Sequence, residues 1–341
     1  MTLRHNFPVI TKFCIIMDFQ KLKEEFNDSL KSMDTEEHID LFFYRPLGFL
    51  WAKFFAKIGV TPNVVTIVSI FLGVAGGILL YFGQPQLAWL NWIGIFLIIW
   101  ANTYDSADGQ LARLTHQYSR IGRILDGLSG DFWFFAIYFS IVFRELQFGD
   151  SLLGNYFNYG QGHNWLLWTM AITAGLSHAK QAASADYYRQ FHLYFLKGKD
   201  GSELDSTTQL DKENAHLTWS GNFWKKLTML FYRNYTANQE VLTPKMQQLR
   251  AELKKRFDDN EIPQSFREAF RMKSLPLMKF TNMLSFNTRV ITMFVCIIIN
   301  MPWLYFAAEL VIFNAMMVYM IATHEHHCKT LLGELQAGKY Q

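Results

Sequence analysis

The chain has 341 residues, of which 50% are hydrophobic, 16% aromatic and only 18% charged, with a formal net charge of +3. That balance argues against a wholly soluble two-domain protein or a nucleic-acid partner, and predicts an all-α integral membrane protein with a soluble part. Cys14, Cys296 and Cys328 show neither pairing nor ligand spacing, so no disulfide framework or zinc site is expected.

In chain order, Met1 to Ile16 is apolar and basic but lacks a long apolar core and a small-residue cleavage site, so it does not read as a signal peptide; Met17 is an alternative start. Residues 1–38 are expected to form an N-terminal cytosolic segment, and from Ile39 to Ile58 the residues Leu41, Phe42, Leu47, Leu50, Trp51, Phe54 and Phe55 return at helical spacing among Arg45, Lys53 and Lys57. This predicts an amphipathic helix lying in the membrane interface. Thr61-Pro62-Asn63 then starts the first span, with Thr61 placed to cap it, Pro62 in its first turn and Asn63 able to reach toward acids farther along. Transmembrane helices are expected at Val64–Tyr81, Leu87–Asn102, Ile121–Phe143, Trp165–Ala185, Met283–Met301 and Trp303–Ala322, each near the roughly 20 residues a bilayer needs.

Charge gives the orientation. The connections Phe82 to Ala88 and Glu145 to Asn164 contain no Lys or Arg, whereas Arg113 to Arg123 and Lys197 to Lys279 are basic, so the basic stretches are cytoplasmic and Arg144 is a lone exception. The expected organisation is six transmembrane helices: the interfacial helix and helices 1–4 in residues 39–194, a cytosolic helical insert at 195–282, and helices 5–6 with a tail at 283–341. Within the insert, one helix starts at Thr243-Pro244 and runs through Arg256, and another starts at Pro263. His324-Glu325-His326-His327-Cys328 lacks zinc-protease spacing and reads as an ordinary helix end, and Glu309 as a group near the outer interface. The glycosylation-like Asn27-Asp28-Ser29 and Asn234-Tyr235-Thr236 lie on the expected cytosolic side and are discounted.

The informative stretch is DSADGQLARLTHQYSRIGRILDGLSGD, with Asp105, Asp108, Asp126 and Asp131 at the ends of two apolar segments. Acids at membrane depth cost several kcal/mol, so such a cluster persists only where cations or a wet cavity offset the cost. Hard divalent metal is the natural occupant. Asp105 and Asp108 share a helix face, Asp126 brings a third oxygen ligand from the next helix, and Gly109 and Ala112 leave backbone bare for something flat or bulky.

The stretch resembles the signature of the CDP-alcohol phosphotransferase (CDP-alcohol phosphatidyltransferase) family: Asp, two residues, Asp-Gly, two residues, Ala-Arg, about eight residues, Gly, three residues, Asp, three residues, Asp. Asp105, Asp108, Gly109, Ala112, Arg113, Gly122 and Asp126 match; where the last acid belongs stands Gly130, and the carboxylate comes one residue later as Asp131. The resemblance implies phospholipid synthesis, in which a phosphatidyl group passes from CDP-diacylglycerol to a small polar alcohol and CMP is released. It implies Mg²⁺ or Mn²⁺, two ions, held by Asp105, Asp108, Asp126 and Asp131. Nucleotide and phosphate would be met by Asp105, Gly109, Ala112, Arg113 and Gly122, with Asp131 as the base. It also implies a homodimer. A one-residue delay turns a side chain by about 100° on a regular helix, so the reading requires a π-bulge or wide turn between Asp126 and Asp131, eased by Gly127 and Gly130.

Acceptor residues are less legible. Lys180, Gln181, Arg189 and Arg289 are polar groups in or beside apolar helices that suit an anionic acceptor such as inositol phosphate or glycerol phosphate. The orientation puts the acids at the cytoplasmic face of a bacterial inner membrane or an endomembrane. Alternatives are CDP-choline- or CDP-ethanolamine-type transfer to a lipid alcohol, a catalytically inactive scaffold that binds nucleotide or lipid, and a cation transporter.

Overall fold

The computed structural model describes residues 20–30, 32–149, 153–198, 204–257 and 261–340, so Met1, Cys14 and Met17 lie outside the described residues. Among the described residues there are helices and turns and no strand. The chain divides into two units, residues 1–161 and 162–341.

In the first unit a helix at residues 20–28 precedes a π-helical turn, Asp40–Tyr44, which runs directly into α1, Arg45–Ile58. The early helix is fastened to α1 by Lys53 to Glu25 at 2.6 Å and by Phe26 set edge-on to Phe49. Lys53 holds the Glu25 carboxyl below its usual range. Phe42, Leu50, Phe54 and Ile58 are exposed while Gly48, Phe49 and Ala52 are buried, the two-faced character expected of the interfacial segment. Gly59 ends α1 in the left-handed conformation, φ 74°, which an L side chain would resist.

The spans follow as α2, Pro62–Leu79, α3, Ala88–Thr115, and α4, Arg120–Phe148. Pro62 occupies the first turn as expected, but the Thr61 side chain makes no capping bond; its carbonyl accepts from Val64 and Val65 instead. Small residues let these helices approach closely: a Cβ on Gly76 would stand 2.8 Å from the Gly94 carbonyl, and one on Gly73 would strike the Trp133 ring at 2.2 Å. Arg144, the exception to the charge pattern, is buried and donates to the Leu80 carbonyl and to Asn91. A cation at the end of α2 serves the carbonyls a helix leaves open there.

The second unit contains α5, Asn164–Lys197, the insert helices α6, Thr207–Ala215, α7, Trp219–Leu242, α8, Pro244–Arg256, and α9, Gln264–Ser274, then α10, Phe286–Ile298. The segment Trp303–Ala308 and a π-helical turn, Glu309–Phe313, lead into α11, Asn314–Gln336. The starts read at Pro244 and Pro263 hold, while α6 and α7 were not read from the sequence. Met246, Leu249, Leu253, Phe266 and Phe270 of the insert share a buried cluster with Phe191, Phe195, Leu331 and Leu335.

Among the described residues five helices are long and apolar enough to cross a bilayer: Pro62–Leu79, Pro85–Thr115, Leu125–Phe148, Gln264–Ile298 and Trp303–Gln336. The sixth expected span, Trp165–Ala185, lies in α5, which at 34 residues is long enough but is not among them. Ser177, His178, Lys180, Gln181 and Ser184 dilute its hydropathy.

Candidate metal centre

Asp105 and Asp108 lie near the C-terminal end of α3, and Asp126 near the start of α4, because the two helices are joined by the short turn His116–Ser119. The turn is defined at both ends. His116 closes α3 with φ 53°, and the Ser119 hydroxyl caps α4 by accepting from the Gly122 N–H at 2.8 Å. Asn63 Oδ1 accepts from Ser119 at 3.1 Å, and a Cβ on Gly122 would stand 2.3 Å from that oxygen. Asn63 therefore reaches the start of α4, and Gly122 is the residue that makes room for it.

One carboxylate oxygen from each of Asp105, Asp108 and Asp126 lies within 4.8 Å of the others. Asp108 is buried, Asp105 half-buried and Asp126 exposed, so the cluster is anchored in the bundle and open on one side. Thr66 of α2 donates to Asp108 Oδ2, and the Ser129 hydroxyl lies 2.7 Å from Asp105 Oδ1 and 2.8 Å from the Asp126 carbonyl. These hydroxyls orient two carboxylates without neutralising them. Among the described residues, Asp105 and Asp108 have no cation within salt-bridge distance. Converging carboxylates repel and resist burial as anions, and oxygen donors at this separation fit a hard divalent ion, so the residues present suit the group that the sequence implied.

Asp131 does not join the cluster. The expected bulge is absent: α4 is unbroken α-helix from Arg120 to Phe148. Five residues on a regular helix turn Asp131 about 140° away from Asp126, whereas Gly130, four residues on, returns to within about 40°. A Cβ at Gly130 would meet nothing within 4 Å, so the position the pattern gives to the last acid is open space.

Arg113 donates through Nε to the Ser29 carbonyl and lies along Gly109, with Nη2 3.4 Å from where a Gly109 Cβ would stand. Ala112 is half-buried on the next turn. The four acceptor candidates belong to the second unit. Gln181 and Arg289 meet at 2.7 Å in a buried network in which Arg289 Nη1 donates to both Glu309 oxygens at 2.7 Å and Tyr305 donates to Glu309 at 2.6 Å. Glu309 is thus the buried counter-ion of Arg289. Its carbonyl, in the π-helical turn, accepts from Gln181 at 3.1 Å. Arg189 donates to Ser285 and Asn282, while Lys180 is exposed. Thr66, Ser129, Ser29, Glu36 and Arg45 went unread from the sequence, although Ser129, three residues after Asp126, could have been found by helical spacing.

Comparison with known proteins agrees with the geometry. Residues 59–182 match the family model described as CDP-alcohol phosphatidyltransferase. A stretch of 69 residues is 35% identical to a CDP-diacylglycerol–glycerol-3-phosphate 3-phosphatidyltransferase of Cereibacter sphaeroides, covering 20% of this chain and 30% of that protein. No solved structure matches significantly.

Proposed function

We propose, from the CDP-alcohol phosphatidyltransferase domain carried by residues 59–182, that this integral membrane protein transfers a phosphatidyl group from CDP-diacylglycerol to a small polar alcohol. The alcohol oxygen attacks the phosphorus bearing the diacylglycerol, the bond to the CMP oxygen breaks, CMP departs and the hydroxyl proton is released. The observation that carries this reading is the convergence of Asp105, Asp108 and Asp126.

Those three carboxylates would hold Mg²⁺ or Mn²⁺, two ions, which supply charge neutralisation for the diphosphate and for departing CMP. The chain's own residues do the rest. Thr66 and Ser129 fix the carboxylates, Gly109 and Ala112 leave room for the nucleotide, and Arg113 offers its fork to phosphate oxygens. Asp131, the next acid along α4 beyond the open space at Gly130, is proposed as proton acceptor. The basic connections support a cytoplasmic site, and α5 is proposed as the sixth span, with the insert in the cytosol and a homodimer as the assembly. Glycerol phosphate and inositol phosphate are the acceptors favoured; the glycerol-3-phosphate activity named for the relative supports the first.

The experiment is to incubate purified protein with labelled CDP-diacylglycerol, Mg²⁺ or Mn²⁺ and a panel of alcohols, and to follow CMP and lipid. Metal-dependent CMP release with a new phospholipid is expected. Asp131→Asn is expected to lower kcat by roughly 10²- to 10⁴-fold if Asp131 takes the proton; full turnover would remove it from the mechanism. The regular helix at Gly130 favours one rival, an inactive scaffold that binds nucleotide or lipid, and nucleotide binding with no CMP release from any alcohol would favour that rival. Product from CDP-choline and a lipid alcohol would move the assignment to that type of transfer.

A further inference from the structure

Two guanidinium groups flank the acid cluster, and both are gripped at the same atom. Arg45, the first residue of α1, gives its Nε to Glu36 at 2.8 Å, and Arg113 gives its Nε to the Ser29 carbonyl. Arg45 Nη1 rests on Ser106 Oγ at 3.2 Å, the residue after Asp105. Among the described residues Arg45 Nη2 and both Nη atoms of Arg113 have no hydrogen-bond partner. Ser106 and Gly109 are one turn apart on α3, a rise of roughly 4.5 Å, so the two forks sit side by side. The Glu36 side chain is 4% exposed and that of Arg45 21%, so the acid is buried and the base partly open to solvent. Gln110 locks the same corner by donating to Ser29 Oγ at 3.1 Å and to the Arg45 carbonyl at 3.2 Å.

An arginine kept only to tie down the N-terminal segment has no need of an open Nη2 beside a carboxylate cluster. Held at Nε by Glu36 and at Nη1 by Ser106, the Arg45 guanidinium has fixed orientation and leaves Nη2 open to a phosphoryl oxygen. We propose that Arg45 is a second phosphate-binding residue of this site, working beside Arg113 on the diphosphate of a cytidine diphosphate-linked substrate, and that Glu36 positions it. Both residues lie outside the stretch 59–182 that the family model matches, so the N-terminal segment supplies part of the site. The inference rests on the nucleotide-dependent transfer proposed above.

The test is calorimetric binding of CDP and of CMP, each with Mg²⁺, to the full-length wild type and to Arg45→Gln, Arg45→Lys and Glu36→Gln. Wild type is expected to prefer CDP. Arg45→Gln is expected to erode that preference by roughly 10- to 100-fold, the loss of a charge-assisted pair, with Arg45→Lys intermediate because it lacks the fork, and Glu36→Gln smaller. A merely structural Arg45 would weaken CDP and CMP alike or shift only the thermal midpoint, and either result, or an unchanged preference, overturns the inference while leaving the transfer reading intact. Wild type binding neither nucleotide would overturn both.

Discussion

The Thr66 hydroxyl shows how much of the centre depends on groups that carry no charge. It donates to Asp108, the most buried of the three acids, and without it that carboxylate oxygen loses the side-chain donor that orients it. Thr66→Val keeps the shape and is expected to weaken Mn²⁺ binding by roughly 10- to 100-fold, as removal of an outer partner commonly does, read by titrating metal into the protein. Gly122→Ala is expected to destabilise by about 1–3 kcal/mol, because the new methyl meets Asn63 Oδ1 at 2.3 Å. Pairing it with Asn63→Ala should recover much of the loss in a double-mutant cycle, measured by thermal unfolding in detergent. The convergence of Asp105, Asp108 and Asp126 was legible because their spacing is a one-dimensional signal. Thr66, Ser29 and Glu36 were not, since what qualifies them is proximity after the chain has folded back across distances of up to 84 residues.

At the scale of the element, α4 decides the fate of the last acid. Its unbroken hydrogen-bonding puts Gly130 on the side of Asp126 and swings Asp131 away, against the bulge read from the sequence. Glycines make a distortion inexpensive without requiring one. Gly130→Asp meets no atom within 4 Å of the added Cβ, so it is expected to fold and to raise Mn²⁺ affinity by supplying a fourth carboxylate; an unchanged titration would show that side to be unreachable. In the second unit, Arg289 and Glu309 form a buried pair, 1% and 0% exposed. Arg289→Met alone should cost about 3–5 kcal/mol by stranding the carboxylate, while Arg289→Met with Glu309→Leu should fall near wild type, seen in thermal midpoints. Helix starts at Pro62, Pro244 and Pro263 were readable from proline's fixed geometry. The polar residues of α5 keep it out of the helices apolar enough to span, and α6 and α7 went unread because their apolar residues are too mixed with polar ones to mark a face.

For the whole molecule, the alternation of basic and base-free connections is the feature on which the proposed sidedness rests. Gln117→Cys, between α3 and α4, is expected to react with an impermeant maleimide only after the membrane is opened, and Gly160→Cys, just before α5, to react in intact cells. Cys296 and Cys328 are buried and give little background, and Cys14 is replaced by Ser in both variants. The reverse pattern would place the metal centre on the outer face.

The insert has a different consequence. Its helix α8 buries Met246, Leu249 and Leu253 in one cluster with Phe191 and Phe195 of α5 and Leu331 and Leu335 of α11, which α9 completes with Phe266 and Phe270. Excising residues 204–257 to obtain a smaller enzyme for crystallography would uncover greasy flanks on two scaffold helices, and the shortened protein would be expected to aggregate on extraction. An engineer wishing to attach a fiducial or affinity handle should splice it into a surface corner of the insert and leave that buttress whole.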